Sequence, residues 1–184
     1  MSQCIALLRG INVGRAKRVP MAELRELVTE LGLGNVRTLL NSGNVLFDAP
    51  RPDLSKLTAA LQRSFTERFG FSAGVIVITA AELVKIIVEN PLLNVAQDPS
   101  RHLVGFAGDP ATFRPLKPML RQKWAPDALA ITKRAAYLWC SAGVLDSPVS
   151  KAFSKQAGLG VTTRNWGTVL KLHAAAQGGA SRVD

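Results

Sequence analysis

Short β-branched or apolar runs alternate with longer stripes of helical period in the first half of this chain. Their order is strand, helix, strand, strand, helix, strand, and that order limits the fold more than any other feature. Gln3–Leu8 is an apolar strand. Pro20 then suits the first position of a helix, and Met21, Leu24, Leu27, Val28 and Leu31 recur at helical spacing up to Gly32. Val36–Leu40 and Val45–Phe47 read as two strands joined by Asn41-Ser42-Gly43-Asn44, residues that tolerate a tight turn. Asp53 precedes a helix carrying Leu54, Leu57, Leu61 and Phe65, which Gly70 ends. Val75–Ile78 is a β-branched strand, and Thr79 with Glu82 has the spacing of a capping box for a third helix that stops at Asn90-Pro91.

The second half partly repeats this order. Leu103–Ala107 reads as a strand. Pro110–Gln122 reads as helical only in part, because Pro115 and Pro118 interrupt it. Leu129–Thr132 and Tyr137–Cys140 read as paired strands, and Asp146 with Pro148 opens a helix. Thr162 or Thr163 is expected to cap a last helix beginning near Asn165. The first half is therefore β-α-β-β-α-β, the order of a split-βαβ, ferredoxin-like unit, and the second is β-α-β-β-α and a further helix. No close self-similarity links the halves. The expected organisation is an N-terminal subdomain over 1–90, a linker over 91–100, a C-terminal α+β subdomain over 101–176 and a flexible tail over 177–184.

Charge narrows the partners. The chain carries 23 basic and 13 acidic residues, a net +10. The excess sits mainly in residues 91–184, with 12 basic and 5 acidic residues, against 11 and 8 in residues 1–90. Such a balance favours acidic partners. Cys4 and Cys140 form no C-x-x-C and no disulfide framework, which fits a reducing cytoplasm. Ile5–Leu8 is too short for a signal-peptide core, and Val75–Val88 is broken by Thr79, Glu82 and Lys85, so no membrane association is expected.

Four motifs carry polar chemistry. The loop from Arg9 to Pro20 holds two glycines and presents Arg9, Arg15, Lys17 and Arg18 before a helix, a setting that suits an anion. It lacks the Gly-Lys-Ser/Thr of a P-loop and is not G-x-G-x-x-G. Asn41-Ser42-Gly43-Asn44 could contact a ligand, or could simply be a turn. In the last helix Arg164, Thr168 and Lys171 would form one stripe, while Trp166, Val169, Leu170 and His173 would form another. Lys151 and Lys155 make a basic ridge that also reads as a solvated helix face. His102 and His173 are the only histidines, G-x-S-x-G is absent, and no cluster has metal-ligand spacing. No metal or cofactor is expected.

The segments Leu7–Gly14, Val19–Leu24, Asn41–Val45 and Thr163–Trp166, in this order and separation, resemble the signature of the domain of unknown function 1697 family. The resemblance runs from the first strand to the last helix. It implies an α+β fold built from two ferredoxin-like halves packed together, and it implies no particular activity. Two departures stand out. Members often continue the first loop with a second Gly and a Lys-Asn pair, where this chain has Arg15-Ala16-Lys17-Arg18. Members often have Asn after the Trp, where it has Gly167. The expected site is one for a phosphate-bearing ligand, nucleotide or nucleic acid, built from Arg9, Asn12, Lys17, Asn41, Ser42, Asn44, Arg164, Asn165 and Lys171. An enzyme of unrecognised mechanism in the same cleft, or an interaction protein whose motifs are purely structural, are the alternatives.

Overall fold

The computed structural model describes residues 1–13 and 17–178. Arg15 and residues 179–184 lie outside the described residues. The chain is α+β, with two four-stranded antiparallel sheets and helices. It forms two compact units, Met1–Leu83 with the residues from Ala175 onward, and Val84–Ala174.

The first unit runs β1 (Ser2–Arg9), α1 (Met21–Glu30), β2 (Gly34–Leu39), β3 (Asn44–Ala49), α2 (Leu54–Phe69), β4 (Gly74–Thr79). Its strand order is β2-β3-β1-β4. One face of the sheet carries Cys4, Ala6, Leu8, Val45, Phe47, Val75 and Val77, and α1 and α2 cover it with Leu24, Leu27, Val28, Leu61 and Phe65. The alternation in β1 places every second side chain on that face. The intervening Ile5 and Leu7 are equally buried, which is why β1 reads as a continuous apolar run. Local chemistry sets the helix ends. Pro20 is the N-cap of α1 rather than its first residue, and its carbonyl accepts from the Leu24 N–H at 3.1 Å. Asp53 caps α2 by accepting from the Lys56 N–H, and Gly70 closes it in the left-handed conformation. Thr79 Oγ1 accepts from the Glu82 N–H at 3.0 Å, as the capping spacing requires, and α3 (Ala80–Val88) follows.

The second unit holds β5 (His102–Ala107), a three-ten helix (Pro110–Arg121), β6 (Ala128–Ile131), β7 (Ala136–Trp139), α4 (Pro148–Ala157), β8 (Val161–Asn165) and most of α5 (Trp166–Gln177). Its strand order, β6-β7-β5-β8, repeats that of the first unit position for position. Two expectations fail here. Pro115 and Pro118 do not interrupt their helix. Twelve residues run on as a three-ten helix, whose three residues per turn put Phe113, Leu116 and Met119 in one buried row. The segment before the last helix is a strand and not a helix start: β8 pairs with β5 from Leu103↔Asn165 to Ala107↔Val161. The three-ten helix and α4 cover one face of this sheet, where Phe113, Leu116, Met119, Val149 and Phe153 pack on Leu103, Ala136 and Leu138.

Among the described residues no helix is long and apolar enough to cross a membrane.

Candidate functional site

The β2–β3 turn folds over the end of β1. The Leu8 N–H donates to the Gly43 carbonyl at 2.8 Å. A Cβ at Gly43 would lie 2.8 Å from Leu8 Cβ and 2.9 Å from Ile11 Cδ1, and its φ is +76°, so only glycine fits. This close approach brings Asn41 to the loop after β1. There Asn12 acts as a clasp. Its Nδ2 donates to the Asn41 carbonyl at 2.9 Å and to the Val19 carbonyl at 3.1 Å. Its Oδ1 accepts from the Val19 N–H at 2.8 Å, and its own N–H donates to the Lys17 carbonyl. Asn12 is thus tied to Lys17 and Val19 and held against the turn. Asn12, Lys17 and Leu40 all adopt positive φ, a backbone cost that these contacts hold in place.

The clasp frames an open depression of about 400 Å³ lined by Asn12, Arg18, Val19, Pro20, Met21 and Asn41. Its floor is the N-terminus of α1. Pro20 has no side-chain acceptor and makes no cap, so the first-turn N–H groups are left without a side-chain partner, with Glu23 the carboxylate of that turn. Arg18 is exposed on its wall. Lys17 Nζ lies 5.6 Å from the centre of the Phe71 ring.

The expected site residues divide between the units. Arg9, Asn12, Lys17, Asn41, Ser42 and Asn44 cluster in the first. The side chain of Asn12 is spent on the clasp. Asn44 is fully buried, and its Nδ2 donates to the Leu39 carbonyl and to Ser42 Oγ, which braces the hairpin. Arg9 ends β1 opposite Gly74 and is half-buried. Arg164, Asn165 and Lys171 belong to the second unit. Arg164 is a strand residue, so the stripe through Thr168 and Lys171 does not include it. Its guanidinium donates to Thr162 Oγ1 and to the Thr163 carbonyl, and burial pulls its pKa down to about 10, which leaves it charged at neutral pH. The cap of α5 is neither Thr162 nor Thr163. Asn165 Oδ1 accepts from the Thr168 N–H at 2.8 Å. Lys171 is exposed on α5.

The profile of the family described as protein of unknown function (DUF1697) matches residues 1–137. The chain belongs to this family. No curated protein matches it. Among solved structures, it is similar to the conserved bacterial protein SP0830 from Streptococcus pneumoniae, with a TM-score of 0.74 and 22% identity over 95% of this chain and 98% of that one. That likeness speaks for a shared fold.

Four further reactive or titratable side chains of this DUF1697 chain are buried. Both thiols are buried, and burial, with the Asp48 carboxylate nearby, raises the Cys4 pKa to about 11. Burial raises that of Cys140 as well. A thiol-specific disulfide reagent is therefore expected to label neither cysteine in the native protein and both after denaturation; native labelling at the unfolded rate would contradict the burial. Asp127 is buried, with Oδ1 accepting from the Ser141 N–H and hydroxyl and Oδ2 from the Ser147 hydroxyl. His102 is buried and stacked on Trp166, with ring centres 5.1 Å apart. Sequence reading passed over Asp127 because its partners come from residues 14 and 20 positions away. Arg18 is one of four cations in the stretch from Arg9 to Pro20, and spacing alone does not distinguish it from the others. Its place on the wall depends on the long-range bond between Asn12 and Asn41.

Proposed function

We propose that the depression at the start of α1 binds a small phosphate-bearing ligand. One observation carries this reading: the Asn12 clasp holds an uncapped helix N-terminus open beside Arg18 and Asn41. Oriented N–H groups and a guanidinium form a ready cradle for phosphate oxygens, and Asn41 adds an amide for a neighbouring polar group. The volume lies within the range of small-molecule sites. The motifs of the second unit take a different role in this reading. Arg164 donates to Thr162 and Thr163 of β8, and Asn165 caps α5, so both serve to brace the fold. The repeated strand order also supports reading each unit as ferredoxin-like. The two buried free thiols suit a reducing, cytoplasmic setting.

Calorimetric titration with inorganic phosphate and pyrophosphate tests the site. Removing one charge-assisted contact is worth roughly 1.5–3 kcal/mol, so Arg18→Ala is expected to weaken pyrophosphate about 10- to 100-fold. Arg18 is exposed, so unfolding is expected to stay unchanged. Equal affinity in the variant and the parent, or no binding in the parent, would remove the reading.

A further inference from the structure

We propose that the outer face of the second unit's helical layer binds the phosphodiester backbone of double-stranded nucleic acid through Arg114, Lys117, Arg121, Lys123, Lys151 and Lys155. This surface is separate from the depression in the first unit and does not depend on it.

The packing fixes which way the cations on the two helices face, and Lys123 follows two residues after the three-ten helix. The three-ten helix and α4 turn Phe113, Leu116, Met119, Val149 and Phe153 into one core. Their opposite sides are left to solvent, and all six cations are exposed. In a three-ten helix, residues three apart lie directly above one another at about 2 Å of rise per residue. Arg114 and Lys117 are therefore about 6 Å apart in one row. Lys151 and Lys155 form a second row, one turn of α4 apart. The rows share a surface because the helices are docked. Gln156 Nε2 donates to the Pro115 carbonyl at 2.8 Å, and Gly160 approaches Thr112 so closely that a Cβ there would overlap its Cγ2 at 2.8 Å.

The charge on this face is not neutralised locally. The second unit carries twelve basic and five acidic residues, a net +7. Glu89 is taken by Arg134 at 2.9 Å and Asp98 by Arg101 at 3.3 Å. Asp127 is buried on its serines, and Asp109 caps the three-ten helix at the Ala111 N–H. Asp146, just before α4, is the one carboxylate of the unit left over. None of the six side chains has an ion pair or hydrogen bond among the described residues. A one-signed, unpaired, ordered surface of this kind is the footprint of a polyanion.

The form of the polyanion follows from what else the face offers. Proteins that hold single strands stack bases on exposed aromatics. Phe113 and Phe153 of these two helices are buried, and Trp124, beside Lys123, packs on the same core with its indole N–H held by the Met119 carbonyl at 2.9 Å. Leu120 is the exposed leucine of the three-ten helix, 44% accessible, and Leu145 and Leu159 are exposed just outside the two ends of α4; leucines set singly among cations are ordinary surface, and the vesicle comparison below tests a lipid partner. Rows of cations without stacking groups or wedges fit a duplex backbone, read without sequence preference.

The test is fluorescence anisotropy of the full chain with labelled DNA and RNA duplexes of one sequence, and with the matching single strands, across a range of sodium chloride. Duplex affinity is expected to fall with salt by roughly 0.9 of a log unit per log unit of salt for each phosphate contacted, a slope of about 3–5 here. Lys117→Glu with Lys151→Glu, one residue from each row, is expected to lower duplex affinity at least roughly tenfold and to reduce the slope by about 2. Lys56→Glu with Arg63→Glu, an equal charge change on α2, is expected to leave affinity within about twofold, and Arg18→Ala to leave it unchanged. Should the glutamate pair unfold, Lys117→Gln with Lys151→Gln carries the same comparison with a smaller loss. Binding of either duplex with this pattern supports the proposal and says which backbone is preferred. Equal losses in both glutamate pairs, single strands bound as tightly as duplexes, phosphatidylserine vesicles bound in preference to duplexes, or no salt dependence would each overturn it.

Discussion

Asp127→Ala is expected to lower the free energy of unfolding by about 4 kcal/mol at pH 7, as a shift in urea midpoint with little change in slope. The carboxylate is buried and gathers donors from two places in the chain. Ser141 gives its N–H at 2.9 Å and its hydroxyl at 2.7 Å, and Ser147 gives its hydroxyl at 2.7 Å. Ser147 Oγ in turn accepts from the Ser150 N–H, so the carboxylate anchors the cap of α4. Alanine would take the acceptor from three donors at once, two on the half-buried Ser141 and one on the buried Ser147, at roughly 1–3 kcal/mol each before relaxation and solvent access. Asp127→Asn keeps the volume but offers only one oxygen, so a loss of about 2 kcal/mol is expected for it. Burial acts to raise the Asp127 pKa, and the donors from Ser147, Ser141 and the Val149 N–H outweigh it, so the net shift is downward. The sign follows: the group contributes fully above its unfolded value of 3.8, and the contribution is lost only as pH falls below that, through the lower folded value. A change under about 1 kcal/mol for Asp127→Ala would mean that the network contributes little.

Most of the architecture was legible because it rests on local signals. Pro20, Asp53, Gly70 and the Thr79–Glu82 pair punctuate the helices, and the period-two and period-3.6 patterns lie between them. Two segments were not legible, and for the same reason: a strong local signal pointed away from the structure. Pro115 and Pro118 read as breaks in an α-helix. The apolar spacing Phe113, Leu116, Met119 is three, and a three-ten helix carries both prolines on its exposed side, where a carbonyl left without its proline partner can find another donor, as that of Pro115 does in Gln156 Nε2. In Val161–Asn165 the threonines read as caps. Three of its five residues are β-branched, which was the signal for a strand, and the capping residue is the one at its end, Asn165.

The candidate site was legible as a region and not as a set of contacts. Arg9 to Pro20 and Asn41 to Asn44 do come together, because Gly43 lets the hairpin lie on Leu8 and Ile11. Which side chains would remain available to a ligand could not be read from spacing. An asparagine in a loop can face a ligand or bond to the chain, and Asn12 and Asn44 bond to the chain. The six cations of the helical layer were legible as charge. They became a surface only once Gln156 was seen to dock α4 on the three-ten helix. The strand order that repeats in both units was hidden until β8 was in place, since without it the second half lacks its closing strand.

Acidification from pH 7.5 to pH 4 is expected to cost about 3 kcal/mol of stability through His102 alone, with about 2 kcal/mol of it gone by pH 5. The ring is 1% exposed, and burial lowers its pKa from 6.5 to about 4. Its neighbours explain why the neutral form is preferred. Asn90 Oδ1 accepts from the Leu92 N–H, so Asn90 turns its amide nitrogen to His102 Nε2 at 3.3 Å. That nitrogen donates, so Nε2 must accept and the ring proton sits on Nδ1, which has no hydrogen-bond partner among the described residues. Protonation would set a second N–H against the donor on Asn90 and would bury a charge against Trp166. The folded pKa lies below the unfolded one, so the unfolded chain binds the proton first, and stability falls as pH drops through 6.5 toward 4. This window lies above that of Asp127, and the two can be separated. His102→Phe keeps a flat ring on Trp166 and cannot titrate, so its stability is expected to be level between pH 6.5 and 4.5 while the acid loss below pH 4 remains. Running both proteins with His173→Gln removes the other histidine from the comparison. A His102 ring proton that titrates by NMR near 6.5 in the folded protein would contradict the argument, since the same burial that disfavours the charge must appear as a depressed pKa.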